Sequence, residues 1–471
     1  MDAPQDVRLP VVGWVVSARS PEALRAQAGR LADHLDRHPA LGVADVAHSL
    51  ATTRAQFDHR AVITGTTRNE LLERTRALAD GTSAGGIVTG IARPGKVAFV
   101  FTGQGSQRPG MGRDLYAAHP AFATAFDQAI DLLDQHLAGH TPVPLREVLL
   151  GHADQTLLDQ TLYTQPALFA LQTALTHLLS TWGIAPHAVA GHSIGAIAAA
   201  HAAGILTLPD AAALVAARAR LMHTAPPGGA MTAINATEAH ITPHLAPYDG
   251  RVTIAATNTP TSTVISGDHD AVTEITHHFR EQGYKVRALT VSHAFHSPHM
   301  DPILDDFQKA IDGLTHTPPA ITFVSDLTGA VTAPDGPAYW TAHLRNPVRF
   351  ADATRTLHDQ GTTTYLEIGP DGILTSLIRD TLDNEQGIIA APALRRDRPE
   401  PHTALTAAAH AHTHGIPVDW TAVNGPATSV DLPTYAFQHE RLWLTPPPRQ
   451  TDPAGLGLTT TAHPLLGAAL T

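Results

Sequence analysis

No cysteine occurs among the 471 residues. Disulfide bonds and thiolate metal sites are thereby excluded, an absence that suits a cytoplasmic protein. Basic character is scarce as well. Lys and Arg number 31 against 43 Asp and Glu, a formal net charge of −12, and no Lys/Arg-rich run interrupts that balance. Nothing here offers the basic stripe that phosphate contacts need, so no nucleic-acid partner is expected. The first residues carry no charged-then-apolar leader. The most apolar stretch, 188–206, is rich in alanine and contains His192, Ser193 and His201. It predicts a buried strand-turn-helix rather than a membrane span, so no membrane partner is expected. Histidine is unusually frequent, at 30 residues, but scattered. Pairs such as His277/His278 and His412/His414 lack the spacing and partners of a metal centre, so no metal site is expected.

What is present describes a folded protein. Hydrophobic residues make up 43% and charged residues 16%, and the length allows two to four domains. Residues 12–95 read as a small α/β unit. A strand at 14–16 precedes a helix opened by Ser20 as N-cap and Pro21 in its first turn. Leu24, Ala28, Leu31 and Leu35 form the apolar stripe of that helix. A second strand (60–64) and helix (69–78) follow, and the Gly/Ser/Thr-rich 82–95 reads as a boundary. A buried-type strand at 96–101 opens an alternation of strands and helices that predicts a mainly parallel sheet covered on both faces. Residues 229–291 change rhythm to strand, helix, strand, strand, helix, strand, the ferredoxin-like pattern, after which the α/β rhythm resumes near 305.

Gly191-His192-Ser193-Ile194-Gly195 has the form G-x-S-x-G between an apolar strand and an alanine-rich helix. That is the grammar of a nucleophile elbow: the serine sits on a tight turn at a helix N-terminus, where negative charge is favoured. Such a serine needs a base. His296, in His293-Ala294-Phe295-His296-Ser297, follows the last strand of the inserted unit and is the candidate. An oxyanion needs donors. Gln104 lies on the Gly-rich loop after the strand at 96–101, and its N–H with that of Ile194 could supply them. Arg218 falls on a predicted apolar helix, 211–222, where a guanidinium needs an anionic partner such as a substrate carboxylate. An esterase or thioesterase of the α/β-hydrolase type shares the elbow, but it would need an acidic residue that the order Ser193…His296 does not place.

These residues resemble the acyltransferase domain of modular type I polyketide synthases, related to bacterial malonyl-CoA:acyl-carrier-protein transacylases. The resemblance is carried by Phe101 to Gln107, Gln165-Pro166-Ala167, Gly191 to Gly195, Arg218, Asn258 with Val264 to Gly267, His293 to Ser297, and Glu367 to Pro370. It implies a large α/β-hydrolase-like subdomain (96–228 and 292–392) and a ferredoxin-like subdomain (229–291). It further implies a ketosynthase-to-acyltransferase linker domain at 1–95 and a post-acyltransferase linker at 393–446, within which Leu432 to Arg441 carries the likeness. The tail at 447–471, with His463 to Gly467, resembles the start of a dehydratase domain.

The resemblance implies Ser193 and His296 as catalytic residues, Gln104 and Ile194 as oxyanion hole, and Arg218, Gln104, His293, Phe295, Tyr163, Gln165, Met222 and Asn258 as substrate contacts. It implies no bound cofactor: malonyl-CoA is the substrate and the phosphopantetheine thiol of an acyl carrier protein the acceptor. Neighbouring ketosynthase and dehydratase domains are the other partners. In this family His-Ala-Phe-His accompanies malonyl selection, as do Ile194 after the serine and Tyr163-Thr164-Gln165. Phe295 would crowd a C2 methyl, a difference of ~1–3 kcal/mol. The chain departs from the family at Ala196, where glutamate is usual and would favour the helix N-terminus. A catalytically silent scaffold is the remaining alternative.

Overall fold

The computed structural model describes residues 11–439, 443, 453–466 and 468–470. It divides into two compact units, residues 1–435 and 436–471. In the first unit, β1 (Val12–Ala18), β2 (His59–Gly65) and β3 (Ile87–Ile91) form an antiparallel sheet in that order. The helix Pro21–Arg37 packs beside Arg68–Asp80 against it. The Ser20 side chain accepts the Ala23 N–H, and Leu24, Ala28, Leu31 and Leu35 are buried, as the stripe predicts. Within the stretch 82–95, read from composition as a boundary, the structure places a strand, β3, that pairs with β2. Its composition misleads because Gly90 lies against the helix Glu400–Thr413, where a Cβ would come 2.8 Å from the Thr413 carbonyl. Glycine here serves close packing rather than a turn.

β4 (Lys96–Phe101) and β5 (Ala188–Gly191) begin a second sheet. The chain then leaves it for β6 (Gly229–Ile234), β7 (Val252–Thr259), β8 (Ser262–Asp268) and β9 (Val286–Ala288), and returns for β10 (Thr322–Val324), β11 (Thr362–Ile368) and β12 (Ile389–Pro392). The order β10-β5-β4-β11-β12 is parallel throughout. Its strands are buried on both faces, with Phe99, Phe101 and Val189 fully enclosed, which is why they read as continuous apolar runs. The strand order turns at β4 and β5, so the loops leaving their C-terminal ends open a crevice between them.

Strands β6 to β9 form a separate antiparallel sheet, ordered β7-β8-β6-β9, with the helices Glu238–Leu245 and His269–Glu281 inserted in the predicted positions. It has its own core around Ile234, Ile265, Ile275 and Phe279. β9 ends at Ala288, which leaves 289–297 as a loop toward the crevice. Val348 pairs with β7 as an isolated bridge: its N–H donates to the Ala255 carbonyl (2.9 Å) and its carbonyl accepts the Thr257 N–H (2.8 Å).

In the second unit, a short 3-10 turn (Ala454–Leu456) and a two-way pair of backbone hydrogen bonds between Thr459 and Ala469 are present. Of the sequence-predicted linker and tail segments, 1–10, 440–442, 444–452, 467 and 471 lie outside the described residues.

Candidate active site

The elbow follows from close packing. β5 ends at Gly191, and the helix Gly195–Ala202 begins four residues later. A Cβ on Gly191 would collide with the Ala196 backbone, and one on Gly195 with the Phe101 carbonyl. Both glycines are required, and the turn they permit holds Ser193 at φ 53°, a left-handed conformation that non-glycine residues adopt chiefly under constraint. His192 is fixed on one side by a 2.9 Å contact from its Nε2 to Asn258 Oδ1.

Ser193 Oγ lies 2.7 Å from His296 Nε2. The other ring nitrogen, Nδ1, is 2.8 Å from the Asn346 carbonyl. A carbonyl only accepts, so Nδ1 carries the proton, Nε2 is the acceptor and the serine hydroxyl donates. Burial, with the Arg218 guanidinium and His343 nearby, lowers the imidazole pKa to about 3, so His296 is neutral and basic-ready at neutral pH. No carboxylate among the described residues is hydrogen-bonded to it.

Arg218 stands on the helix Leu208–His223, whose small neighbours Ala217 and Ala219 leave room for it to turn inward. It is 1% exposed. Its Nη1 donates to Gln165 Oε1 (2.6 Å) and its Nη2 to Ser193 Oγ (3.1 Å), while Nε has no partner among the described residues. Burial lowers its pKa to about 10, which leaves it cationic. A buried guanidinium aimed at the serine hydroxyl, with no carboxylate in contact among the described residues, is a site prepared for an anion.

A cavity of about 520 Å³ opens onto Ser193 and His296, bounded by the antiparallel sheet, the loops after β4 and β5 and the helix Ile373–Thr381, while Arg218 lies buried behind Ser193 and does not itself line it. Gln104, His192, Ser193, Asn258, Phe295 and His296 line it. The Gln104 side chain accepts from Thr161 Oγ1 (3.1 Å), and neither the Gln104 nor the Ile194 N–H donates to another group among the described residues. Gln165 and Met222 lie behind Ser193, joined by a 3.4 Å contact from Gln165 Nε2 to Met222 Sδ.

Two predicted contacts fall elsewhere. Tyr163 is fully buried and its hydroxyl donates to the Val143 carbonyl (2.9 Å), so it packs away from the cavity. The His293 ring is held by Ser292 Oγ (2.9 Å) and the Ala225 backbone and does not line the cavity. Among the described residues no group of three His, Asp or Glu is placed to share a metal.

Sequence reasoning missed Asp326, His343 and the Asn346 carbonyl. Asp326 is fully buried, and its Oδ2 accepts the Ser193 N–H at 2.7 Å while Oδ1 accepts from His343 Nε2 at 3.0 Å. Burial alone would raise its pKa, but His343, His192 and the Ser193 N–H hold it below the ordinary carboxylate value. The available signal was position: Asp326 follows β10, the neighbour of β5, at the same end of the sheet. A backbone carbonyl such as that of Asn346 leaves no mark in a sequence.

The family model described as acyl transferase domain matches residues 98–418, and the CurL-like, PKS C-terminal model matches 14–74. Polyketide synthase GfsB of Streptomyces halstedii is 47% identical over 475 residues, covering 98% of this chain but 8% of that protein. The phenolphthiocerol synthesis polyketide synthase type I Pks15/1 of Mycobacterium marinum is 48% identical over 470 residues, covering 98% of this chain and 22% of that protein. The chain thus spans under a quarter of either relative. The acyltransferase domain from the second module of the salinomycin polyketide synthase superposes with a TM-score of 0.76 at 47% identity, over 90% of this chain and 99% of that one. A malonyl-CoA:acyl carrier protein transacylase of Xanthomonas oryzae gives 0.59 at 32% identity, over 67% of this chain and 98% of that one. The chain belongs to the acyl transferase domain family of modular type I polyketide synthases.

Proposed function

We propose that this chain loads malonyl units. Malonyl-CoA enters the cavity and its free carboxylate takes the place of the Gln165 and Ser193 contacts on Arg218. Ser193 Oγ attacks the thioester carbon while its proton passes to His296 Nε2. The Gln104 and Ile194 amides hold the oxyanion. His296 returns the proton to the departing coenzyme A thiol, leaving a malonyl ester on Ser193. The phosphopantetheine thiol of an acyl carrier protein then attacks that ester, its proton passing through His296 back to Ser193.

The observation that carries this reading is Arg218: a buried cation 3.1 Å from the nucleophile, with no carboxylate partner among the described residues. A neutral ester would not use it. Phe295, 6% exposed on the cavity wall, supports malonyl over methylmalonyl by crowding C2. Gln165, Met222, Asn258 and Gln104 complete the substrate contacts, with Tyr163 and His293 packing behind them.

On this reading 96–392 is the acyltransferase, 1–95 and 393–446 are linkers toward a ketosynthase, and 447–471 leads into a dehydratase. Neighbouring synthase domains and an acyl carrier protein are the partners, in the cytoplasm. The test is intact-mass detection of the acyl-enzyme with malonyl-, methylmalonyl- and acetyl-CoA in competition. Malonyl adduct should dominate and vanish in Ser193→Ala. Loading that persists in the variant rejects the serine, and a dominant methylmalonyl adduct rejects the selectivity.

A further inference from the structure

Asp326 is a buried charge that the acyl-transfer scheme does not use. A carboxylate at 0% exposure is costly unless each oxygen is answered, and here each is: one by the nucleophile's own N–H, one by a histidine. Neither partner is incidental. Ser193 is one of three described non-glycine residues at positive φ, and its N–H is the handle by which that turn is held. The same N–H faces outward at the start of the helix Gly195–Ala202, where a negative charge is favoured. Ala196 contributes none, so Asp326 supplies that charge from the turn after β10. Tyr339, whose hydroxyl meets Ser325 Oγ at 2.6 Å, and the Arg349 N–H, which donates to the Asp326 carbonyl at 2.6 Å, fix the turn after β10.

The charged and titratable groups facing His296 are Arg218 from the helix Leu208–His223, His343 from the helix Pro337–Arg345 and Asp326. Arg218 and His343 oppose a positive imidazole, and Asp326 is the sole acid on the other side of that balance among the described residues. His192 also faces Asp326.

Resting on the proposed acyl transfer, we propose that Asp326, oriented by His343, is a positioning residue. It holds Ser193 through the backbone and provides the negative charge against which His296 becomes imidazolium. As Ser193 Oγ bonds to the thioester carbon, its proton moves to His296 Nε2. The site then holds Arg218 and imidazolium against Asp326, the substrate carboxylate and the oxyanion. The proton leaves with the coenzyme A thiol and the imidazole is neutral again. Asp326 therefore does through space and through the main chain what a triad acid does by direct contact.

The experiment is single-turnover acylation by malonyl-CoA, followed by intact mass across pH, in the wild-type chain and in Asp326→Asn. The amide keeps an acceptor for the Ser193 N–H and removes the charge, and its NH2 faces His343 Nε2, which accepts once the His343 proton moves to Nδ1. Its plateau rate should fall about tenfold or more, and its acid limb should move to lower pH by about half a unit or more, because the imidazole has lost its anionic neighbour. A residue that merely holds the turn predicts no shift, so an acid limb that stays in place overturns the assignment whatever the rate. Asp326→Ser is the second uncharged variant, with folding checked by circular dichroism. If both fail to fold, Asp326 is a folding residue and the assignment falls. Wild-type loading that does not require Ser193 would overturn the proposed function together with this role. Loading that requires Ser193 with an unmoved limb overturns this role alone.

Discussion

At the scale of single residues, the site is governed by what Arg218 lacks. Its three nitrogens meet an amide oxygen, a hydroxyl and, among the described residues, nothing, so the guanidinium has no directly bonded anion until a substrate supplies one. Arg218→Ala should therefore lose affinity for the carboxylated acyl group specifically. Malonyl loading should fall by at least about a hundredfold, the scale of a lost charge-assisted pair, while acetyl loading holds or rises. Competition between malonyl- and acetyl-CoA by intact mass reads the ratio directly. Equal losses for both acyl groups would make Arg218 a packing residue. The reactive pair itself was legible from residue types alone. A serine between two glycines at a strand-to-helix turn marks an exposed hydroxyl, and a histidine following the last strand of the inserted unit can reach it as the chain returns to the parallel sheet. What supports the pair was not legible. The Asn346 carbonyl has no side-chain signature, and Asp326 precedes an ordinary Leu-Thr-Gly turn. Tyr163 shows the converse: its neighbour Gln165 does reach Arg218, but the helix turns the tyrosine toward Val143.

At the scale of elements, the strand-turn-helix at 188–202 is the part that admits least change. Gly195 lies over the carbonyl of Phe101 at the end of β4, so an added methyl would meet rigid backbone on a central strand rather than a side chain that can move. Gly195→Ala should cost about 1–3 kcal/mol of stability, as overpacking does, read as a lower unfolding midpoint. Because Ser193 would shift against His296, it should also slow malonyl loading by at least about tenfold. Normal loading in a destabilised variant would show that the elbow tolerates displacement. The glycine spacing made this element readable. The same reasoning failed at β3, where Gly90 marks contact with the helix Glu400–Thr413 and not a turn. Glycine has two uses, freedom of φ and absence of bulk, and a sequence does not distinguish them without the partner element.

At the scale of the whole molecule, the least legible feature is how 400–424 returns to cover β1 and β2. Gly13 and Asn424 exchange two hydrogen bonds across 411 positions (2.9 and 3.0 Å), and Arg60 donates to the His412 carbonyl at 2.9 Å. No local periodicity encodes such pairs. Their burial has a consequence for pH. His412 is lowered to about 3 by burial with Arg60 nearby, His410 to about 4 by burial with His414 and Arg379, and His296 to about 3. A histidine of the unfolded chain titrates near 6.5. Between about 6.5 and 4 the unfolded chain therefore binds protons that these three sites refuse, and stability must fall as pH falls. Glu367 works in the opposite sense. Its carboxyl, pushed up to about 7 by burial against three donated hydrogen bonds, takes a proton in the folded chain over part of the same window. Three refusing sites against one accepting site leave the acid loss dominant. The urea midpoint should be highest near pH 7, decline from about pH 6.5 and decline further toward pH 4.5. A midpoint that is level or rises over that interval would mean that the buried histidines are reached by water, and with it that His296 is not held neutral by its surroundings.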